Sequence, residues 1–111
     1  MEFTSIERIS IANILIEMMN VDNDVDVREV LYFNQIQNVM NITNDEFKQG
    51  KEQNVLISLL TIKSMSDIKK CAVGKMLIEM IEADGKVDEQ ELKLFNLVCQ
   101  TTGLNEAVSK H

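Results

Sequence analysis

Proline is absent from this chain of 111 residues, and glycine stands only at Gly50, Gly74, Gly85 and Gly103. A strand-rich fold must turn tightly and often, so a shortage of both breakers favours helices. Histidine occurs once, as His111, and the two cysteines, Cys71 and Cys99, sit in helical patterns without a C-x-x-C spacing. These facts argue against a His/Cys zinc site and predict two reduced, buried thiols of a cytoplasmic protein. Long apolar runs are lacking too. The stretch "VLISLLTI" at 55–62 is too short to span a bilayer, and the opening "MEFTSIERIS" lacks a basic stretch followed by an apolar one. Neither a signal peptide nor direct membrane insertion is expected. The chain has no His pair, no Ser/His/Asp set and no glycine-rich phosphate loop, which makes the reading non-enzymatic with no catalytic residue.

What is present is a soluble, globular balance of 45% hydrophobic and 26% charged residues, enough for one domain over 1–111. The net charge of −7 argues against nucleic acid or an anionic membrane surface as a partner. Its distribution matters more. Windows 17–29 and 79–91 together hold 11 acidic residues against Arg28 and Lys86, while the other 85 residues hold 7 acidic and 9 basic. All of the net negative charge therefore lies in two matched windows.

The windows match because the chain is a duplication. Shifted by 62 residues, "LIEMMNVDNDVDVREVLYFN" (15–34) lies over "LIEMIEADGKVDEQELKLFN" (77–96), with ten identities in twenty ungapped positions. A helical hairpin that cannot bury its apolar face alone packs against its copy, here about a pseudo-twofold axis. Repeat 1 covers about 4–47, a connecting helix about 53–64, and repeat 2 about 67–110. The expected architecture is all-α, with six to seven helices and no strand.

Local signals place those helices. Thr4 with Glu7 forms a capping box that starts the first helix, which runs to Asn20 and is copied at about 67–83. Its polar residues Ser10, Asn13, Glu17 and Asn20 fall on one narrow stripe, so this helix and its copy are expected at the centre of the fold. A second helix runs from Val27 to Met40; Thr43 with Glu46 caps a short third, with Ile42 and Phe47 placed as a staple. The helix at 53–64 supplies Val55, Leu56, Leu59, Leu60 and Ile62. The last long helix, from Glu89, stops at Gly103, and Asn105 caps a short turn or helix beyond. Methionines such as Met18, Met19, Met76 and Met80 read as core at this spacing.

Within the acidic phrases, Asp26 and Asp88 are N-caps with Glu29 and Glu91 three residues on, and Val25 and Val87 are placed to staple onto Val30 and Leu92. Asn23 and Gly85 align where a left-handed exit is needed. Glu17, Glu79, Asp22 and Asp84 are not explained by capping. They lie near helix C-termini, where the dipole disfavours negative charge, and only Glu79 has a lysine, Lys75, one turn away. A hard divalent cation, calcium or magnesium, would relieve that repulsion by taking several oxygens. By this argument the candidate ligands are Glu17, Asp22, Glu79 and Asp84, with the capping carboxylates Asp26, Glu29, Asp88 and Glu91 close by in sequence to complete the set. The site is not an EF-hand: "DNDVD" at 22–26 fits the first three ligand places, but Val27 stands for the glycine and Phe33 for the final glutamate.

The phrase "MLIEMIEADGKVDEQELKLFNLVCQTTGL", 76–104, resembles the signature of the TerB-like family, and the first copy resembles it more weakly, with Asn23 for the glycine. The resemblance implies a duplicated all-helical domain from a bacterial cytoplasm, in a stress or tellurite-resistance context. It also implies a metal site at Asp22 with Glu29 and at Asp84 with Glu91. The expected function is a non-catalytic module binding a divalent cation, as a monomer or weak homodimer with a protein partner. The alternative is a metal-independent interaction module that uses its acidic face, and a metal-dependent enzyme, with paired carboxylates as acid and base, ranks third.

Overall fold

In a computed structural model of the chain, residues 2–21, 23, 25–83, 85 and 88–106 are described. Asp22, Asp24, Asp84, Lys86, Val87 and His111 lie outside them. Six helices follow in order: α1 (Ser5–Asn20), α2 (Val27–Met40), α3 (Asn44–Glu52), α4 (Val55–Lys63), α5 (Asp67–Glu82) and α6 (Glu89–Thr102). A turn of helix at 104–106 follows, and there is no strand among the described residues.

The duplication reads directly in the backbone. Shifting the bounds of α1 and α2 by 62 residues gives those of α5 and α6. The N-caps correspond, Thr4 with Ser66 and Asp26 with Asp88, each accepting from the first turn of its helix. So do the left-handed residues, Asn23 (φ 61°) with Gly85 (φ 72°) and Asn41 (φ 57°) with Gly103 (φ 80°). Glycine and asparagine are the types that adopt this region at least cost.

The two hairpins pack crosswise, with α2 against α5 and α6 against α1. Lys69 Nζ meets Glu7 Oε1 at 2.8 Å, and these two are counterparts 62 positions apart. A residue touches its own counterpart only beside the axis that relates the copies, so this ion pair marks where the pseudo-twofold passes.

The copies are not equally central. Nine of the sixteen residues of α1 are buried, but only five of α5. The expectation that both helices form the centre holds for α1 alone, because α3 and α4 both stack on α1. The core joins Ile11, Ile14, Leu15 and Met18 of α1 to Phe33, Ile62, Leu77, Met80, Val98 and Leu104. Met18 and Met80 are fully buried. No disulfide joins Cys71 and Cys99; Cys99 is inside, where burial pushes its thiol up, whereas Cys71, expected inside, is only half-buried because α5 is less central than α1.

Two expectations fail where tertiary packing overrides the pattern. Ser10 and Asn13, read as part of a polar stripe, are buried in a hydrogen-bonded network. Asn13 Nδ2 donates to the carbonyls of Gly50 (2.8 Å) and Gln53 (3.1 Å), and Ser58 Oγ donates to Asn13 Oδ1 at 2.6 Å. Gln53 Nε2 donates to Ser10 and Ser58. These bonds fasten the C-terminus of α3 and the start of α4 to α1. In turn α4 points Ser58, Leu59 and Ile62 inward and leaves Leu56 and Leu60, expected inside, 68% and 65% exposed. Asn13→Ala is expected to lower stability by about 2 kcal/mol, since the Ser58 hydroxyl loses its acceptor and the Gly50 and Gln53 carbonyls lose this donor at once. Urea unfolding checks it: an unchanged midpoint would mean that water replaces the amide without loss.

Candidate functional site

The acidic corners lie between α1 and α2 and between α5 and α6. In the first, α1 ends by a turn in which Asn23 N–H donates to the Asn20 carbonyl at 3.1 Å. The Asp26 carboxylate accepts from Arg28 N–H at 2.7 Å and pairs with its guanidinium at 3.1 Å. Asp26 N–H donates back to Glu29 Oε1 at 3.3 Å, completing the capping box. In the second, Gly85 N–H donates to the Glu82 carbonyl, and Asp88 accepts from Gln90 and Glu91 N–H at 2.8 and 3.1 Å. The backbone roles predicted for Asn23, Gly85, Asp26 and Asp88 are therefore all in place.

Burial divides the eight candidate residues. Glu29 and Glu91, at equivalent positions, are 1% and 2% exposed. Such depth is unusual for a carboxylate, because burying its charge is costly without compensating interactions. Glu7 and Glu46 hold the same third place in their helices and have cationic partners in Lys69 and Arg8. Glu17 and Glu79 are exposed on α1 and α5. Lys75 makes no ion pair with Glu79 among the described residues; Glu79 Oε2 instead accepts from the Tyr32 hydroxyl at 3.2 Å. Burial and the neighbouring Glu79 carboxylate both raise the Tyr32 phenol above its ordinary value. This bond ties α2 of one repeat to α5 of the other. Sequence reading missed it; the sole tyrosine, standing where the second copy has Leu94, was the available signal.

Among the described residues no three carboxylates, thiols or imidazoles gather closely enough to hold a metal. Asp22 and Asp84, half of the predicted ligand pairs, lie outside those residues. The donors that are described are hard carboxylate oxygens, which suit calcium or magnesium and not zinc. A groove of about 540 Å³ lies elsewhere, lined by Phe3, Arg8, Val39, Met40 and Met76. Arg8 already serves Glu46 and the Phe3 carbonyl, so its guanidinium is committed to the fold. No helix is long and apolar enough to cross a membrane among the described residues.

No family model matches the chain, and no curated protein does. A solved structure is similar throughout: a crystal structure of PG1108, a protein of unknown function from Porphyromonas gingivalis W83. It superposes with a TM-score of 0.78 at 21% identity, covering 99% of this chain and 96% of that one. At that identity the likeness establishes the all-helical fold.

Proposed function

We propose that this chain is a non-catalytic helical module that binds a divalent cation, calcium or magnesium, at its two acidic corners. The observation that carries the reading is the paired burial of Glu29 and Glu91, 1% and 2% exposed at equivalent places beside acidic caps. A capping glutamate needs only to reach one backbone N–H, which does not itself require burial, and the buried capping glutamate Glu46 also serves an ion pair with Arg8. Two copies that each hold this carboxylate inside, after a chain segment carrying Asp22 or Asp84, support a role beyond capping. Glu29 with Asp22, and Glu91 with Asp84, would hold the ion; Glu17, Glu79, Asp26 and Asp88 surround them in sequence. Bound cation would supply charge neutralisation and would fix the corner between two helices. The TerB-like resemblance adds the setting, a bacterial cytoplasmic protein of stress or tellurite resistance.

Calcium and magnesium titrations, followed by calorimetry and amide NMR, test the reading. Saturable binding is expected at two sites, each removed by its own variant, Glu29→Gln or Glu91→Gln. Neither heat nor amide shifts around Glu29 and Glu91 at millimolar metal would overturn it. The metal-independent interaction reading is favoured by a different observation, the exposed aliphatic residues of α2.

A further inference from the structure

We infer that the outward face at the start of α2 is a docking surface for a basic amphipathic segment of another protein. The duplication carries this inference by providing a control within the same molecule. Helices α2 and α6 are copies with the same bounds after the shift of 62, and both bury the third residue of the helix, Glu29 and Glu91. On its outward face α6 carries Glu89 and Lys93, an i,i+4 ion pair 3.6 Å apart and open to water. At the same two positions α2 carries Val27 and Leu31, 69% and 56% exposed.

Val30, three residues from Val27, and Val25, just before the cap, enlarge the patch at 38% and 47% exposure. Residues three and four apart on a helix form one surface. Folding does not account for the patch. The staple expected between Val25 and Val30 leaves both open, whereas Ile42 of the equivalent α3 staple is 5% exposed. Helix α6 also exposes Leu92 and Leu97, but by helical periodicity its charged pair stands between them. Single exposed leucines are ordinary; a contiguous aliphatic face that its own copy replaces with charges is not.

Charge identifies the occupant. Residues 17–29 hold five acidic side chains, of which only Glu29 is buried among the described residues, against Arg28, which is paired with Asp26. A partner that places aliphatic residues on Val27 and Leu31 and lysines or arginines around them satisfies both features. A second copy does not, since it would bring two acidic corners together. Another exposed aliphatic face, Leu56, Ile57 and Leu60 of α4, is followed by Lys63 and offers a basic segment no such complement.

The test uses the whole ¹⁵N-labelled chain in chelator, so that cation binding plays no part, titrated with a synthetic Leu/Lys amphipathic helical peptide. Amide shifts are expected to concentrate at 25–31. The affinity should fall about tenfold or more in Val27→Glu/Leu31→Lys, and by a similar factor for a scrambled peptide of equal charge. That variant installs the pair α6 already carries at equivalent positions, and its melting temperature confirms that it folds. Unchanged affinity in the variant, equal binding of the scrambled peptide, or shifts centred on Leu56, Ile57 and Leu60 would overturn the inference. So would a wild-type dimer that the variant renders monomeric.

Discussion

Gly50→Val is expected to lower folding stability by about 3 kcal/mol or more, while Gly50→Ala stays within about 1 kcal/mol of the parent. Gly50 lies inside α3 where that helix crosses α1. A β-carbon built there would stand 3.0 Å from Ala12 Cβ, 3.2 Å from the Ile9 carbonyl oxygen and 3.3 Å from Asn13 N. Alanine gains helix propensity over glycine, which offsets part of a contact that a small shift of α3 can relieve. Valine adds two methyl groups to a β-carbon already in tight contact with Ala12 and the α1 backbone, which asks α3 for a larger shift than alanine does. It would also displace the Gly50 carbonyl that accepts from Asn13. Urea unfolding of both variants separates these cases. Ala12→Gly removes the nearest obstacle, so it should recover part of the loss in Gly50→Val, seen as a coupling of about 1 kcal/mol in a double-mutant cycle. Equal stability of the alanine and valine variants would show that α3 can move away from α1 freely.

That close crossing explains which parts of the fold were legible in the sequence. Caps and left-handed exits are local, set within about four residues, and Thr4, Asp26, Thr43 and Gly103 announce them without reference to the rest of the chain. The repeat is legible for a related reason, since each copy repeats the same local signals at one spacing. Where a helix lands is not local. Nothing near Ser58 says that it turns inward while Leu56 and Leu60 turn out. The reason is forty-odd residues away, in the amide of Asn13. A stripe of Ser10, Asn13, Glu17 and Asn20 reads as one solvated face, yet its first half receives two helices and its second half receives none.

The candidate site divides the same way. The residue types at the corners, and their capping geometry, follow from local sequence. The depth of Glu29 and Glu91 does not, because burial is set by tertiary packing and not by the few residues around a cap. The Tyr32–Glu79 bond crosses between repeats, 47 residues apart. Comparing the copies position by position extends what sequence can reveal. It separates what the corner needs in order to fold, shared by both copies, from what one copy alone retains, such as Val27 and Leu31.

Arg8→Met is expected to cost about 2–3 kcal/mol at neutral pH and to remove a distinct acid sensitivity. Arg8 donates through Nε and Nη2 to Glu46, whose carboxylate also accepts from Ser5 Oγ and from Thr43 N–H. Glu46 is 5% exposed. The Arg8 guanidinium, with smaller help from Ser5 and Thr43, holds its carboxyl down at about 2 against an ordinary 4.5, although burial alone would raise it. The sign follows from linkage. A carboxyl depressed in the folded state adds stability that is fully present above about pH 4.5 and is lost as pH falls toward 2. Two and a half pH units correspond to about 3 kcal/mol, reduced somewhat because Arg8 keeps a quarter of its side chain in water. In Arg8→Met the carboxylate stays buried beside an apolar chain, its proton affinity rises, and the loss between pH 4.5 and 2 should flatten relative to wild type. Glu46→Gln should flatten the same window at a smaller neutral-pH cost, because the amide can still accept from Thr43 and Arg8 can rotate toward solvent. Parallel pH–stability curves for wild type and Arg8→Met would show that Glu46 is not held by Arg8, and that another group anchors α3 to the start of α1.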